Sequence, residues 1–128
     1  MVAWNEYKAM AKGRGALALE LFVVQSTPAG APENVKANLP AHLDYQRDME
    51  QQGRLVMAGP VSDATGNEMN GAGMIIYRAE SLDEATKMAQ NDPMHASGAR
   101  SFTVRKWLVN EGSLSLNVGL STGVAVLS

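Results

Sequence analysis

The chain has 128 residues, of which 45% are hydrophobic and 19% are charged, and its formal net charge is -2. This composition is typical of a single folded domain and unlike that of a disordered segment. The charge is unlike a basic nucleic-acid footprint, the absence of cysteine excludes disulfides and thiolate metal sites, and no apolar run approaches the roughly 20 residues that span a bilayer. The N-terminus lacks a long apolar signal core, so we expect a cytoplasmic protein without membrane or nucleic-acid partners.

The chain begins with a segment that we predict to be peripheral. Residues 1–15 form a predicted N-terminal arm with one short helix, whose apolar side chains share a face. The first strand is predicted over Leu17–Gln25, with apolar side chains on both of its faces because side chains alternate along a strand. Two prolines and a glycine predict a loop over residues 26–32.

The first long helix is predicted to run from about Glu33 or Leu39 to Gln52, with Gly53 as its stop. Pro40 is expected in the first turn of the main segment, where a missing N–H costs little. The predicted buried stripe consists of Leu39, His42, Leu43, Gln46, Met49 and Glu50. His42 is therefore expected to face or border the sheet.

A hairpin and a second helix follow. Strands are predicted over residues 54–60 and Ala72–Arg78, joined by a polar loop from Ser62 to Gly71, which is either an ordinary hairpin loop or a lid over a pocket. Ser81 and Glu84 form a capping box that predicts the start of the second helix. Asn91-Asp92-Pro93 predicts its end.

The last elements are short. A helical turn is predicted over residues 93–97 and a fourth strand over about Ser101–Val109. Two β segments, Leu114–Val118 and Gly123–Leu127, are predicted to form a C-terminal hairpin. We therefore divide the chain into the arm, a domain over residues 16–109 and a β extension over residues 110–128.

The predicted order of elements is β-α-β-β-α-β, which indicates an α+β, ferredoxin-like fold with an antiparallel sheet. Right-handed crossovers place both helices on one face of that sheet. Strands with apolar residues on both faces would then expose a large apolar patch. We predict that a second copy of the chain covers it, in a homodimer or a higher homo-oligomer.

The residues that carry possible chemistry are few. The two histidines, His42 and His95, make only a thin case for a metal site with Asp92, and we predict no metal. A carboxylate that binds one imidazole nitrogen would leave the other nitrogen free as a base, which points to His42 with Asp92. The alternative is structural: Asp92 caps the turn at Pro93, and His42 is a hydrogen-bonded residue at the edge of the core.

Several short motifs, taken in order, resemble the YCII-related family. They are Ala41-His42-Leu43-Asp44-Tyr45, residues 53–60, residues 79–85, Asn91-Asp92-Pro93-Met94 and Val104-Arg105-Lys106-Trp107. The resemblance covers roughly residues 18–108, and the arm and the C-terminal segment extend beyond it. It implies a ferredoxin-like, dimeric α+β barrel in which His42 and Asp92 are the catalytic pair in a pocket between helices and sheet.

The resemblance also implies a class of chemistry. Activities assigned in the family include dehydrochlorination of hydroxylated rings, which favours a cofactor-free lyase or isomerase with His42 as general acid or base and Asp92 orienting it. We predict ligand contacts from His95, Tyr45, Met94 and Ser62. An acidic substrate would be neutralised by Arg47, Arg54 or Arg100, among which the sequence does not choose. The alternatives are a non-catalytic, dimeric small-molecule-binding module and, ranked last, a cofactor-independent monooxygenase.

Overall fold

A computed structural model describes residues 1–128, which form four helices and six strands. The helices are α1 (Trp4–Gly13), α2 (Pro32–Gln51), α3 (Leu82–Asn91) and α4 (Pro93–Ala96). The strands are β1 (Leu19–Pro28), β2 (Leu55–Pro60), β3 (Gly73–Tyr77), β4 (Arg100–Val109), β5 (Leu116–Val118) and β6 (Ala125–Leu127). None of the helices combines the length and the apolar character needed to cross a bilayer.

The chain divides into two compact units. One comprises Glu20–Trp107, which includes α2, α3, α4 and most of the four-stranded sheet. The other comprises Met1–Leu19 together with Leu108–Ser128, and it includes α1 and an antiparallel hairpin of β5 and β6. The C-terminal hairpin predicted from the sequence is therefore present. The division into arm, domain and extension stays a prediction.

The large sheet has the strand order β2-β3-β1-β4, with β3 antiparallel to both β1 and β2. Together with the element order, this is the ferredoxin-like arrangement that the sequence predicts. One boundary was predicted wrongly: β1 continues to Pro28, where a loop from residue 26 was expected. The extension forms because Ser26 pairs with Gly73 of β3 and because the Ala29 N–H donates to the Ala99 carbonyl.

The two faces of the sheet differ in what covers them. The core lies on the helix side and consists of Phe22, Val24, Met49, Ile75, Tyr77, Ala85, Met88 and Ala89. On the opposite face, Val23 is half-buried, while Met57 and Trp107 are 63% and 44% exposed. A shallow cavity of about 280 Å³ on this face is lined by residues that include Val23, Met74 and Trp107. Gln25, Arg105 and Lys106 also line this cavity, so the open sheet face combines apolar with polar and charged side chains and is partly accessible in the single chain.

Helix α2 follows the longer of its two predicted ranges to within one residue at each end. It begins at Pro32, whose fixed φ suits the first helical position, so Pro40 lies inside the helix and not in its first turn. Three members of the predicted buried stripe are exposed: Leu39 and Leu43 are 44% and 50% exposed, and Glu50 is also on the surface. Gln46 and Met49 are buried, and His42 is half-buried, so the packed stripe is narrower than the sequence pattern indicated.

Helix α3 begins with the predicted capping box. The Ser81 hydroxyl accepts the Glu84 N–H at 3.1 Å, and the Glu84 carboxylate accepts the Glu80 N–H at 2.8 Å. Helix α3 ends at Asn91, and Asp92 adopts an extended conformation between α3 and α4. This break positions the Asp92 side chain at the start of α4, on the side where α2 packs.

Candidate active site

His42 and Asp92, fifty residues apart in sequence, are hydrogen-bonded partners. Nδ1 of His42 lies 2.8 Å from both carboxylate oxygens of Asp92. The Asp92 side chain is completely buried, whereas the His42 side chain is 21% exposed. The structure therefore brings together the two residues that sequence reasoning named as a pair, with the carboxylate inside and the imidazole at the surface.

The Asp92 carboxylate has further donors on the protein side. The Met94 N–H donates to Oδ1 at 3.0 Å, and Nε2 of Gln46 donates to Oδ2 at 3.2 Å. Asp92 therefore caps α4, as the structural alternative required, and also holds His42. The two roles are compatible because a carboxylate offers about four lone-pair positions.

The hydrogen-bond partners define the tautomer of the neutral His42 ring. A carboxylate accepts but does not donate, so the hydrogen is on Nδ1 and the lone pair is on Nε2. An imidazole held in this way can remove a proton from a group that approaches Nε2, and the adjacent carboxylate then stabilises the imidazolium. The arrangement is that of an oriented general base.

His95 belongs to a second, buried set of hydrogen bonds. Its Nδ1 lies 2.7 Å from the Ala89 carbonyl and its Nε2 lies 2.8 Å from the Ser26 hydroxyl. Nδ1 must donate to the carbonyl, so Nε2 accepts from Ser26, and Nε of Arg100 donates to the same hydroxyl at 2.8 Å. Both ring nitrogens of His95 are thus engaged within the fold. Its predicted contact with a ligand stays a prediction.

The neutral state of His95 leads to a prediction about pH. Burial lowers the pKa of His95 below its ordinary value of 6.5, although the hydrogen bond to Ala89 opposes this shift. The unfolded state therefore binds more protons than the folded state once the pH falls below about 6.5. We expect the melting temperature to be highest above this pH and to fall as the pH is lowered through the folded-state pKa.

A melting series from pH 7.5 to pH 5 checks this expectation, with His95→Gln as the comparison. The variant is less stable near neutral pH because it loses the paired imidazole, but its melting temperature should depend less steeply on pH in this range. Parallel curves for the two proteins would show that His95 does not carry the pH dependence.

The other predicted ligand contacts fall in different places. Tyr45 lies near the pair: its hydroxyl donates to the Met88 carbonyl at 2.6 Å, and burial, together with the charge of Asp92, raises its pKa. Met94 is buried and reaches Asp92 through its backbone N–H. Ser62 is exposed on the β2–β3 loop, where its hydroxyl donates to the Asp63 carbonyl. The Ser62 hydroxyl takes no part in the hydrogen bonds around His42 and Asp92.

Two shallow surface cavities are lined by residues other than His42 and Asp92. One is the 280 Å³ depression on the open sheet face, and the other, of about 300 Å³, lies along the β2–β3 loop at Ser62. His42 is accessible at the surface of α2 instead of at the bottom of either cavity. No group of three or more His, Cys, Asp or Glu side chains lies close enough together to hold a metal ion.

The sequence did not choose which of three arginines would neutralise an acidic substrate. The structure distinguishes them by their partners. Arg47 pairs with Asp44 at 3.2 Å on the surface, and Arg54 pairs with Glu84 at 2.8 Å. Arg100 has only neutral acceptors: it donates to the Ser26 hydroxyl and carbonyl and, through a very short contact, to the Gly71 carbonyl. Burial lowers the pKa of Arg100, and the charge of Asp92 opposes this shift.

The close approach of the β2–β3 loop to Arg100 depends on a glycine, Gly71. Gly71 has φ +93°, and a Cβ atom there would come within 2.6 Å of the Pro28 side chain. The loop end therefore lies tight against the end of β1, with its carbonyl turned toward Arg100.

Sequence reasoning missed the hydrogen bonds of Ser26 and Gln46. Ser26 continues the alternation of the buried residues Phe22 and Val24, and this period of two was the available signal. Gln46 lies one helical turn after His42, so the two side chains share a face. It was interpreted as a packing residue, although its amide contacts the same carboxylate as His42.

The fold and the pair define a small α+β protein with a ferredoxin-like domain and a carboxylate-oriented histidine at the surface of its first long helix. The YCII-related domain family matches residues 19–108 of the chain. The chain therefore belongs to the YCII-related family. Its fold class is that of the dimeric α+β barrels, with an additional C-terminal hairpin, as the sequence predicted.

Two similar proteins are informative. The uncharacterized protein YjpA of Bacillus subtilis (strain 168) is 36% identical over 66 residues, which cover 52% of this chain and 71% of YjpA. A solved structure of 5-chloro-2-hydroxyhydroquinone dehydrochlorinase (TftG) from Burkholderia phenoliruptrix AC1100, in complex with 2,5-dihydroxybenzoquinone, is 26% identical with a TM-score of 0.50. The similarity covers 68% of this chain and 92% of the TftG chain.

Proposed function

We propose that this protein is a cofactor-free lyase or isomerase acting on a small, acidic, hydroxylated ring compound, with His42 as the general acid and base. The observation that carries the proposal is the pair itself: Nδ1 of a partly exposed His42 is held by the buried Asp92 carboxylate, and Nε2 is left for a substrate. The similarity to a dehydrochlorinase supports the same class of chemistry.

The proposed step is a proton abstraction. Nε2 of His42 removes a proton from a ring carbon or hydroxyl, and the electron pair of the broken bond forms a new double bond. In an elimination, a leaving group such as chloride departs with its own electron pair, and the imidazolium then releases its proton to solvent. In an isomerisation, His42 returns the proton to a different carbon. Asp92 keeps the ring oriented and stabilises the imidazolium in both cases.

Arg100 supports an acidic substrate. It is a partly buried cation whose bonded partners are neutral, whereas Arg47 and Arg54 are already paired with carboxylates. A buried charge is stable when an opposite charge compensates it. The buried Asp92 carboxylate supplies part of this compensation, and an anionic ligand near the His95–Ser26–Arg100 set would add to it.

We further propose that the protein works as a homodimer that buries the open sheet face. Met57 and Trp107 are partly exposed there, and Val23, Met74 and Trp107 line a shallow depression. An exposed apolar sheet surface is characteristic of an interaction site. A second copy related by a two-fold axis presents the same surface and can cover it.

Ligand binding that depends on His42 tests the proposed function. We expect 2,5-dihydroxybenzoquinone and chlorinated hydroxyhydroquinones to raise the melting temperature of the wild-type protein, since a ligand at one hundred times its Kd adds about 2.7 kcal/mol of stability. His42→Ala should remain folded and lose this shift. Product analysis by liquid chromatography should then detect turnover of the chlorinated compounds in the wild type alone.

Two controls make this experiment specific. Lys36→Ala changes an exposed residue on the same helix and should retain the full shift. The uncharged 2,5-dimethoxybenzoquinone has the same ring without the acidic hydroxyl groups and should bind weakly. Shifts that persist in His42→Ala would contradict the proposed site, and saturable binding without any product would indicate the binding module instead of an enzyme.

A further inference from the structure

The break between α3 and α4, which contains Asp92, is bridged by the side chain of His95. Asp92 adopts an extended conformation there, with φ −60° and ψ 127°. Nδ1 of His95, on α4, lies 2.7 Å from the carbonyl of Ala89, in the last turn of α3. The Asp92 N–H donates to the same carbonyl at 3.3 Å. The imidazole therefore connects the two helices across the residue that binds His42.

The backbone of α4 holds Asp92 from the other side of the break. The N–H groups of His95 and Ala96 both donate to the Asp92 carbonyl at 2.8 Å. His95 thus contacts Asp92 through its own N–H and contacts the end of α3 through its ring. Because one residue makes both contacts, a movement of the ring away from Ala89 would loosen α4 from α3 and shift Asp92 with it.

The donors and acceptors around the His95 ring all run in one direction. An arginine side chain only donates, and a backbone carbonyl only accepts. Nε of Arg100 donates to the Ser26 hydroxyl, which leaves the hydrogen of that hydroxyl for Nε2 of His95. Nδ1 then carries the hydrogen that Ala89 accepts. Both ends of the His95–Ser26–Arg100 set therefore require the same tautomer of His95.

Packing fixes the same ring. His95 is 6% exposed and Ser26 is 4% exposed. The ring centroid of His95 lies 4.6 Å from that of Phe102 on β4, with an angle of 40° between the two planes. Since Ser26 lies on β1, the bonds of His95 tie the turn at Asp92 to the sheet as well as to α3.

We propose that His95 is a positioning residue for the pair of His42 and Asp92. Its hydrogen bond to Ala89 holds the Asp92 carboxylate within reach of Nδ1 of His42, and Ser26 keeps the ring in the tautomer that can form this bond. The role operates through Asp92 and requires no contact between His95 and a substrate. Its importance for catalysis rests on the proposed function, but its effect on the His42 ring of the ligand-free protein does not.

The tautomer of His42 is a readout that a merely structural role would not move. The Asp92 carboxylate fixes the hydrogen of the neutral His42 ring on Nδ1, and a ring without this acceptor populates both neutral forms. Long-range ¹H–¹⁵N spectra distinguish the two forms. The chain has only two histidines, so any substitution of His95 leaves the signals of His42 alone.

Two substitutions of His95 separate its two hydrogen bonds. Asparagine carries an amide nitrogen at the position of Nδ1 and can still donate to Ala89, whereas glutamine carries its amide at the distance of Nε2 and can still bind Ser26. Both variants lose one buried bond. We expect the fixed Nδ1–H form of His42 in the wild type and in His95→Asn, and a mixture of the two neutral forms in His95→Gln.

Ser26→Ala is a milder change that leaves the imidazole of His95 in place. We expect it to lower the melting temperature by about 5 °C, because Nε2 of His95 loses its buried donor. Both His95 and His42 should then show mixed tautomers. The matched control is Ser101→Ala, which removes an exposed hydroxyl of β4 that lies 3.2 Å from the Thr27 hydroxyl on β1. It should leave the melting temperature and both rings unchanged.

The outcomes are distinct. A fixed Nδ1–H form of His42 in both His95 variants would overturn the inference, and so would a mixture in both or the reverse pattern. Where the His95 variants do not fold, Ser26→Ala decides: a fixed His95 ring, or a mixed His95 ring beside a fixed His42 ring, contradicts the proposed role. Ligand binding that survives His42→Ala would count against the proposed function alone, because all of these spectra are of the ligand-free protein.

Discussion

Replacing Asp92 by alanine is expected to destabilise the protein by about 3 kcal/mol, the largest effect of any single substitution at the site. The carboxylate is completely buried and accepts from the Met94 N–H and the Gln46 amide as well as from His42. Its removal leaves the first two donors buried and unpaired. Urea unfolding followed by circular dichroism measures the loss, and a melting temperature lower by roughly 10 °C should accompany it.

Asp92→Asn separates stability from charge. Asparagine keeps the volume and an acceptor for Met94, and Gln46 can turn its amide to offer Oε1 to the new amide group. We therefore expect less than half of the alanine effect on stability. The charge that stabilises the imidazolium is lost, so turnover of any substrate found for the wild type should fall by about 10²-fold or more.

The control for both variants is Asp44→Ala, since Asp44 is an exposed aspartate whose ion pair with Arg47 lies on the surface of α2. It should leave stability almost unchanged. If Asp92→Ala unfolded no more easily than Asp44→Ala, the hydrogen bonds around the carboxylate would have no energetic role. If Asp92→Asn kept full turnover, Asp92 would be a structural cap only.

A substitution on the open sheet face is expected to have the second large effect, which is a change in the oligomeric state. We expect the wild-type protein to sediment at twice the 13.7 kDa of one chain and Val23→Arg to sediment as a monomer. Val23 lies opposite Ile76 in the interior of the sheet, so an arginine there would bury an unpaired charge in the interface. A cost of about 3 kcal/mol corresponds to roughly a hundredfold increase in the Kd of the dimer.

Analytical ultracentrifugation across a range of concentrations makes this measurement. Met69→Arg is the matched control, because Met69 is 70% exposed on the β2–β3 loop and away from the sheet face. A milder variant, Trp107→Lys, changes a residue that is already 44% exposed and so tests the face without a change in the core. A monomeric wild type, or a dimer indifferent to both Val23→Arg and Trp107→Lys, would contradict the proposed interface.

The sequence predicted the fold more completely than the site. The capping box at Ser81 and Glu84 and the Asn91-Asp92-Pro93 stop are local signals, and α3 has these bounds in the structure. The apolar alternation of β1 predicted two buried faces, of which one is packed by helices. In α2 the predicted apolar stripe is wider than the buried face: Leu39 and Leu43 repeat at helical spacing, but both are exposed in the single chain.

The sequence by itself determined the α+β class and the order of the elements, which depend on periodicity, caps and residue type acting over a few positions. Its motifs also resemble those of the YCII-related family, and this resemblance pointed to His42 and Asp92 as a candidate pair. Only the tertiary structure decided that Asp92 is buried and bonded to His42, that both nitrogens of His95 are already engaged, and that Arg100 lacks a carboxylate partner. These properties depend on side chains brought together from distant elements, and local spacing along the chain does not specify the distances between them.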